Sequence, residues 1–456
     1  MGTRITDSAM YGQLWGTPEL DEVFEEGNRI RSWVQILVAL AEAQAGLGII
    51  PGPASRELAD AAARLKLDMV LAARGTRRTG HSTLGFIEAL RAALPPAAAE
   101  WAYYGATVQD LTDTWMALAM KQVGAIAWRD LRAIEDQILT LAADHRDTVM
   151  AGRTHGQLGS LITFGLKAAS WADEVRRHLE RLREGAPRWL VGQLAGAVGS
   201  LGFFGDQGLE LRESFCARLG LGEPSVSWTS CRDRPAEFCL LLAMITATLA
   251  RIGSEVYELQ RPEIGELSEG LAPGSVSSIT MPHKQNPEAA EHLVTLSRLA
   301  RANAQVLLEG MVAEHERDGR SWKAEWPAFS ETCLLAGASL AMSKGLLEGL
   351  QVHPAAMRAN IDGARGFLLS ETVLAALAPS LGKHQAQALL QEALEAGRRS
   401  GQSLTEVVAG LPVDAGLTAD LLQAASVNGA GSAPGMVDEV VARARAARAA
   451  EDERWP

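Results

Sequence analysis

Five stretches of this chain, roughly 110–147, 160–185, 234–261, 287–317 and 326–351, carry helical periodicity with hardly an interior proline. A globular helix averages about 11–12 residues, whereas stretches of this size span on the order of 40–55 Å at 1.5 Å per residue. Helices so long bury little inside one thin chain. They gain by packing against equivalents from other copies, so a homo-oligomeric bundle is expected. Composition agrees, with Ala and Leu recurring throughout the 456 residues and only 18 prolines. Ala and Leu lose little on entering a helix, and Pro is excluded from its interior. No Gly-x-Gly-x-x-Gly follows a strand pattern, which argues against a doubly wound nucleotide fold. The expected class is all-α with three helical domains: a small one over 1–109, a central long five-helix bundle over 110–354, and short helices over 355–456. The Ala/Arg-rich tail reads as a final exposed helix.

Charge narrows the function classes. The formal net charge is −12 and neither a basic run nor a basic helical face occurs, so no nucleic acid and no anionic membrane is expected as partner. The N-terminus lacks the apolar stretch of a signal peptide, and no run of about 18 apolar residues stands out as a bilayer span. Cys216, Cys231, Cys239 and Cys333 show neither CxxC pairing nor a disulfide framework, which places the protein in a reducing, cytoplasmic compartment. His283, His292 and the other histidines lack metal-ligand spacing, so no metal is expected.

One segment breaks the helical background: Gly-Ser-Val-Ser-Ser-Ile-Thr-Met-Pro-His-Lys-Gln-Asn-Pro, from Gly274 to Pro287, within a loop taken as 270–287. Small residues let backbone N–H groups turn toward an anion, with Lys284 and Asn286 beside them. Asn286-Pro287-Glu288 reads as a cap, a proline at the first helical position and an acid in the first turn.

The segment resembles the signature of the aspartase/fumarase superfamily, Gly-Ser-Ser-x-Met-Pro-x-Lys-x-Asn-Pro. The resemblance extends along the chain through Gly105-Ala-Thr-Val-Gln-Asp, Gly152-Arg-Thr-His-Gly-Gln and Thr163-Phe-Gly-Leu-Lys. It implies a homotetramer whose five helices per chain form a twenty-helix core, with each active site built by three subunits and no cofactor. Ser278, six positions before Lys284, matches the general base that removes a proton from the carbon β to the leaving group. Loop N–H groups, Lys284 and Asn286 would hold the resulting dianionic carboxylate. His155, preceded by Thr154, matches the histidine with which adenylosuccinate lyases protonate the departing nitrogen. Thr107 and Gln109 become carboxylate contacts, with Val108 where relatives usually carry Ser. His81, in a Thr-Gly-His segment, approaches the site in similar proteins, and Arg232 and Arg317 are candidates for positioning charge. One departure affects the base itself, since Ser277-Ser278-Ile279 stands where the family has Gly-Ser-Ser.

Within the superfamily, Trp15-Gly-Thr-Pro-Glu, Arg232-Asp-Arg and Glu314-His-Glu-Arg-Asp resemble the 3-carboxymuconate cycloisomerase branch, and adenylosuccinate lyase somewhat less. Trp322 and Trp326 occupy positions where adenylosuccinate lyases bind phosphate, which opposes a nucleotide substrate. Thr154-His155 stands where bacterial cycloisomerases of that branch often carry Trp. The expectation is a carbon–nitrogen lyase releasing fumarate from a small dicarboxylate, a 2-substituted succinate. Nitrosuccinate is favoured because Val108, Ile279 and Trp322 read as a compact apolar pocket. A cycloisomerase, an adenylosuccinate-type or aminopolycarboxylate lyase, and a non-catalytic structural member are the alternatives.

Overall fold

The computed structural model describes residues 4–270, 274, 276–412 and 419–456. Five long helices dominate: α1 (Val108–Asp144), α2 (Phe164–Trp189), α3 (Asp233–Leu259), α4 (Glu288–Gly310) and α5 (Gly319–Gly349). They match the five periodic stretches, and the chain is all-α. The start of α1 is set by a capping box, in which Thr107 and Asp110 each satisfy the other's backbone N–H. The start of α5 is set by Asp318, whose carboxylate accepts the Arg320 N–H at 3.0 Å. Along α1, Met116, Met120, Leu131, Ile134 and Ile138 are enclosed. One continuous core runs from Leu20 in the N-terminal helices through the bundle.

α3 is long and apolar enough to pass a length-and-composition test for a membrane span, contrary to the expectation that no such run exists. Some 72% of its most apolar window is buried against the rest of the fold, as befits the central helix of a bundle.

Two regions depart from expectation. The second periodic stretch was expected to start near 160, but a hairpin comes first: β1 (Val149–Thr154) and β2 (Gln157–Thr163), antiparallel with Thr154 opposite Gln157. Its two turn residues, His155 (φ 52°) and Gly156 (φ 72°), are both left-handed, the twist that matches a two-residue hairpin. Ala151 and Leu161 of the hairpin close a second core built from Leu368, Val373, Leu377, Leu390 and Leu404. The last helix, Ala433–Ala450, is not the exposed tail its composition implied. Its Val437, Val441 and Ala444 enter the main core. Beyond it, the Trp128 indole donates to the Glu453 carbonyl at 3.1 Å and Arg176 joins Glu135 to Glu451.

Candidate active site

The start of α1 organises one cluster. Asp110 is enclosed and accepts the N–H groups of Thr107 (2.8 Å), Ala195 (2.6 Å) and Gly196 (3.3 Å). Burial outweighs these donors and pushes its carboxyl up to about 7. One position earlier, Gln109 is also fully buried: its amide N–H donates to the Thr229 carbonyl at 2.7 Å, and its amide oxygen accepts Arg317 Nε at 2.8 Å. Arg317 Nη2 reaches Thr107 Oγ1 at 3.2 Å and the Gly196 carbonyl at 3.4 Å. Thr107, Gln109 and Arg317 therefore converge, with a division of labour that the sequence did not reveal. Gln109 brackets the guanidinium, and Arg317 Nη1 has no hydrogen-bond partner among the described residues.

Tyr103 joins this cluster, although nothing in the sequence singled it out. Burial raises its phenol, the Asp110 carboxylate adds to the rise, and Arg317 and a hydrogen bond with Thr83 oppose it. Thr83 also connects His81 to the cluster. His81 Nδ1 accepts the N–H groups of Thr83 (3.3 Å) and Leu84 (3.2 Å), capping the helix Leu84–Ala93. That fixes the ring and leaves Nε2 as the proton-bearing nitrogen of the neutral form.

Arg232 is corrected by the structure. Its side chain is 1% exposed and lies between Asp113 (2.7 Å) and Glu325 (2.6 Å), both completely buried. Nε, Nη1 and Nη2 all engage these carboxylates, so the guanidinium joins α1, α3 and α5 and does not face substrate. Trp322 is buried behind it, its indole donating to Asp113 at 3.2 Å. Ile279, by contrast, is 95% exposed, so one chain does not assemble the compact apolar pocket of Val108, Ile279 and Trp322.

The loop before α4 carries the second cluster; Leu271, Ala272, Pro273 and Ser275 lie outside the described residues. Ser278 Oγ accepts the Met281 N–H at 3.1 Å, a contact that favours negative charge on the oxygen and so assists a serine acting as base. Ser277 Oγ donates to the Lys284 carbonyl at 2.7 Å, and Asn286 Nδ2 donates to the Ser277 carbonyl at 2.6 Å. Asn286 thus cross-ties the loop and does not cap α4. The cap comes from Glu269, which accepts the Ala289 and Ala290 N–H groups at 3.2 and 2.7 Å. Lys284 is exposed, as are Thr154 and His155 at the hairpin turn. A bidentate Arg153–Glu266 pair, both bonds 2.8 Å, holds the hairpin to the stem of this loop, and Asn360 Nδ2 donates to the same carboxylate at 2.8 Å.

The two clusters lie at opposite ends of the bundle. Thr107 precedes the first turn of α1 and the hairpin bearing His155 follows its last turn, a span of about 55 Å for a helix of this length. Arg232 fixes the start of α3 beside Asp113, and the loop with Ser278 follows the far end of α3. One chain therefore joins Thr107, Gln109, Arg317 and His81 at one end, and carries Thr154, His155, Ser278, Lys284 and Asn286 at the other.

Residues 15–301 match the family model described as lyase. N-acetyl-S-(2-succino)cysteine lyase of Dickeya dadantii (strain 3937) is 39% identical over 444 residues, covering 97% of this chain and 98% of that protein. Nitrosuccinate lyase of Streptomyces davaonensis is 35% identical over 454 residues, covering 96% and 95%. Among solved structures, the fumarate lyase from Mesorhizobium sp. BNC1 superposes with a TM-score of 0.87 at 33% identity, over 94% of this chain and 98% of that one. The chain belongs to the lyase family and is an enzyme of the aspartase/fumarase superfamily.

Proposed function

We propose that the protein eliminates a heteroatom leaving group from a 2-substituted succinate and releases fumarate, at sites completed between copies in a homotetramer. The observation that carries this reading is Ser278 Oγ under the Met281 N–H, in a loop that presents Lys284 beside it. Ser278 removes the proton next to a carboxylate, and the charge that develops on that carboxylate is met by loop N–H groups and Lys284. Arg317, held by Gln109 and Thr107, orients the other carboxylate. His155 delivers a proton to the departing atom. The separation of the two clusters supports assembly, because a succinate only a few ångströms long cannot bridge about 55 Å within one chain.

For the leaving group, the 39% identical relative named for N-acetyl-S-(2-succino)cysteine favours a thiol on a small organic arm. A thiol, of ordinary pKa about 8.5, also leaves with less help than an amine. Nitrosuccinate is the second reading, supported by the 35% identical relative named for it. The test offers the enzyme N-acetyl-S-(2-succino)cysteine, nitrosuccinate, adenylosuccinate and 3-carboxymuconate separately, following fumarate by its ultraviolet absorbance. Fumarate from the thioether is expected; fumarate from nitrosuccinate alone moves the assignment to the second reading. Lactone from carboxymuconate, with no fumarate from any succinate, overturns both.

A further inference from the structure

The hairpin tip that carries Thr154 and His155 is open to solvent, with residues 154–158 all exposed. The ladder beneath it is interrupted. Its register shifts by one residue between the pairs Ala151–Leu161 and Arg153–Leu158. Gly152 lies at the shift, where a Cβ would stand 3.0 Å from the Ser160 carbonyl oxygen. A bulge of this kind bends and twists the ribbon and re-aims the side chains beyond it. The two outer pairs, Arg153–Leu158 and Thr154–Gln157, therefore do not take their direction from the core-facing pairs below.

Arg153 supplies that direction. Among the described residues, no other side chain of residues 153–158 hydrogen-bonds to the rest of the fold. Arg153 Nη1 and Nη2 both donate to Glu266 at 2.8 Å, and Nη1 also reaches the Ala151 carbonyl across the bulge at 3.2 Å. A planar fork on a planar carboxylate fixes rotation as well as distance. Glu266 in turn is a fixed post with a completely enclosed side chain. Its carboxylate accepts Asn360 Nδ2, its N–H donates to the Leu259 carbonyl at the end of α3 (2.9 Å), and its carbonyl accepts the His353 N–H (3.0 Å). The packing of Ala151 and Leu161 in the second core already serves the folding of the hairpin. A bidentate tie two residues before His155 adds aim.

We propose that Arg153 is a positioning residue, whose pair with Glu266 aims the His155 imidazole for proton delivery to the leaving group. The proposal rests on the elimination reading, with His155 as the proton donor. It assigns Arg153 an effect on kcat and none on substrate affinity.

A double-mutant cycle tests it, run on the 2-substituted succinate that gives fumarate fastest. Arg153→Met is expected to lower kcat about 10- to 100-fold, the cost of misplacing a reacting group by about 1 Å. KM should stay within about two-fold, because ground-state binding is untouched. Arg153→Lys keeps the charge but not the fork, and is expected to retain a larger share of kcat. In the His155→Asn background, Arg153→Met should change kcat by less than about two-fold, because the group it aims is gone. Arg153→Lys in both backgrounds completes the cycle if the methionine variant does not fold. Equal losses in the two backgrounds overturn the proposal, since Arg153 then supports the fold in general. So does a His155→Asn enzyme with wild-type turnover, which leaves no acid to aim. Amide hydrogen exchange reads the anchor without turnover: residues 153–158 should exchange about 10-fold faster in Arg153→Met, with α1 and α3 unchanged. Tip amides that keep their wild-type rates also overturn it. A wild-type enzyme that releases no fumarate from any 2-substituted succinate is a separate result: it removes the elimination reading, and the role of Arg153 falls with it.

Discussion

The two ends of the bundle solve different problems. At the start of α1 the polar side chains are spent on one another: Gln109 is bonded at both ends of its amide, Asp110 collects three backbone N–H groups, and Arg317 is gripped through Nε and Nη2. A guanidinium so held presents one open edge in a fixed direction, and orientation is then prepaid by folding. At the loop end the groups are open, with His155 on a two-residue turn and Lys284 in solvent. Groups that must move protons need access to substrate and exclusion of water in turn, which a loop can provide and a helix interior cannot. On the proposed reading the chain separates positioning from proton transfer by the length of a helix, and assembly of copies would reunite them.

Ser278→Ala attacks this division at its most sensitive point. Loss of a positioned base is expected to lower turnover by about 10²–10⁴-fold, with oligomer size unchanged by light scattering because Ser278 lies outside the core. Arg317→Met, at the opposite end, is expected to lower kcat/KM as well. Mixed assemblies of the two inactive variants should regain activity, since some sites then draw an intact loop from one chain and an intact Arg317 from another. If mixing restores nothing although subunits demonstrably exchange, the two ends do not meet in one site.

Legibility in the sequence follows the same division. The long helices were readable because heptad-scale periodicity and capping residues act locally, and the loop because Met-Pro-His-Lys-Gln-Asn-Pro is a specific string. The hairpin was missed because Gly152, Gly156 and Gly159 dilute its alternation, and it packs against a second core formed by residues more than 200 positions away. Arg232 was misplaced for a related reason. Its neighbouring charges in sequence resemble a site, and only the fold brings Asp113 and Glu325 to enclose it.

That correction predicts a contrast between two arginines. Arg232→Met leaves two buried carboxylates without their cation and is expected to cost about 3–5 kcal/mol, seen as a lowered thermal unfolding midpoint. Arg317→Met, half-buried beside neutral partners, should lower it less, by the cost of leaving the buried Gln109 oxygen without its donor, about 1–3 kcal/mol. Glu325→Gln should fall between them, because burial already drives the Glu325 carboxyl upward against the pull of Arg232, and the amide keeps one acceptor. An Arg232→Met protein that unfolds at the wild-type temperature contradicts the buried triad.

The last expected effect is a slope, and it isolates the pre-set end from the open one. Asp110 has an ordinary carboxyl value near 3.8 and is pushed up to about 7 by burial. Between those values the folded chain holds a proton that the unfolded chain has lost. The stabilisation from this group is complete below the lower value and is lost as pH rises through the upper one. Unfolding free energy should therefore decline from about pH 4 to about pH 7, in proportion to the proton held. Asp110→Asn removes the titration while keeping one oxygen for the Ala195 or Thr107 N–H, so its curve should be flatter across the same window, whatever its absolute stability. An Asp110→Asn curve as steep as the wild type would mean that the pH dependence originates elsewhere, and that the donors around Asp110 hold it charged.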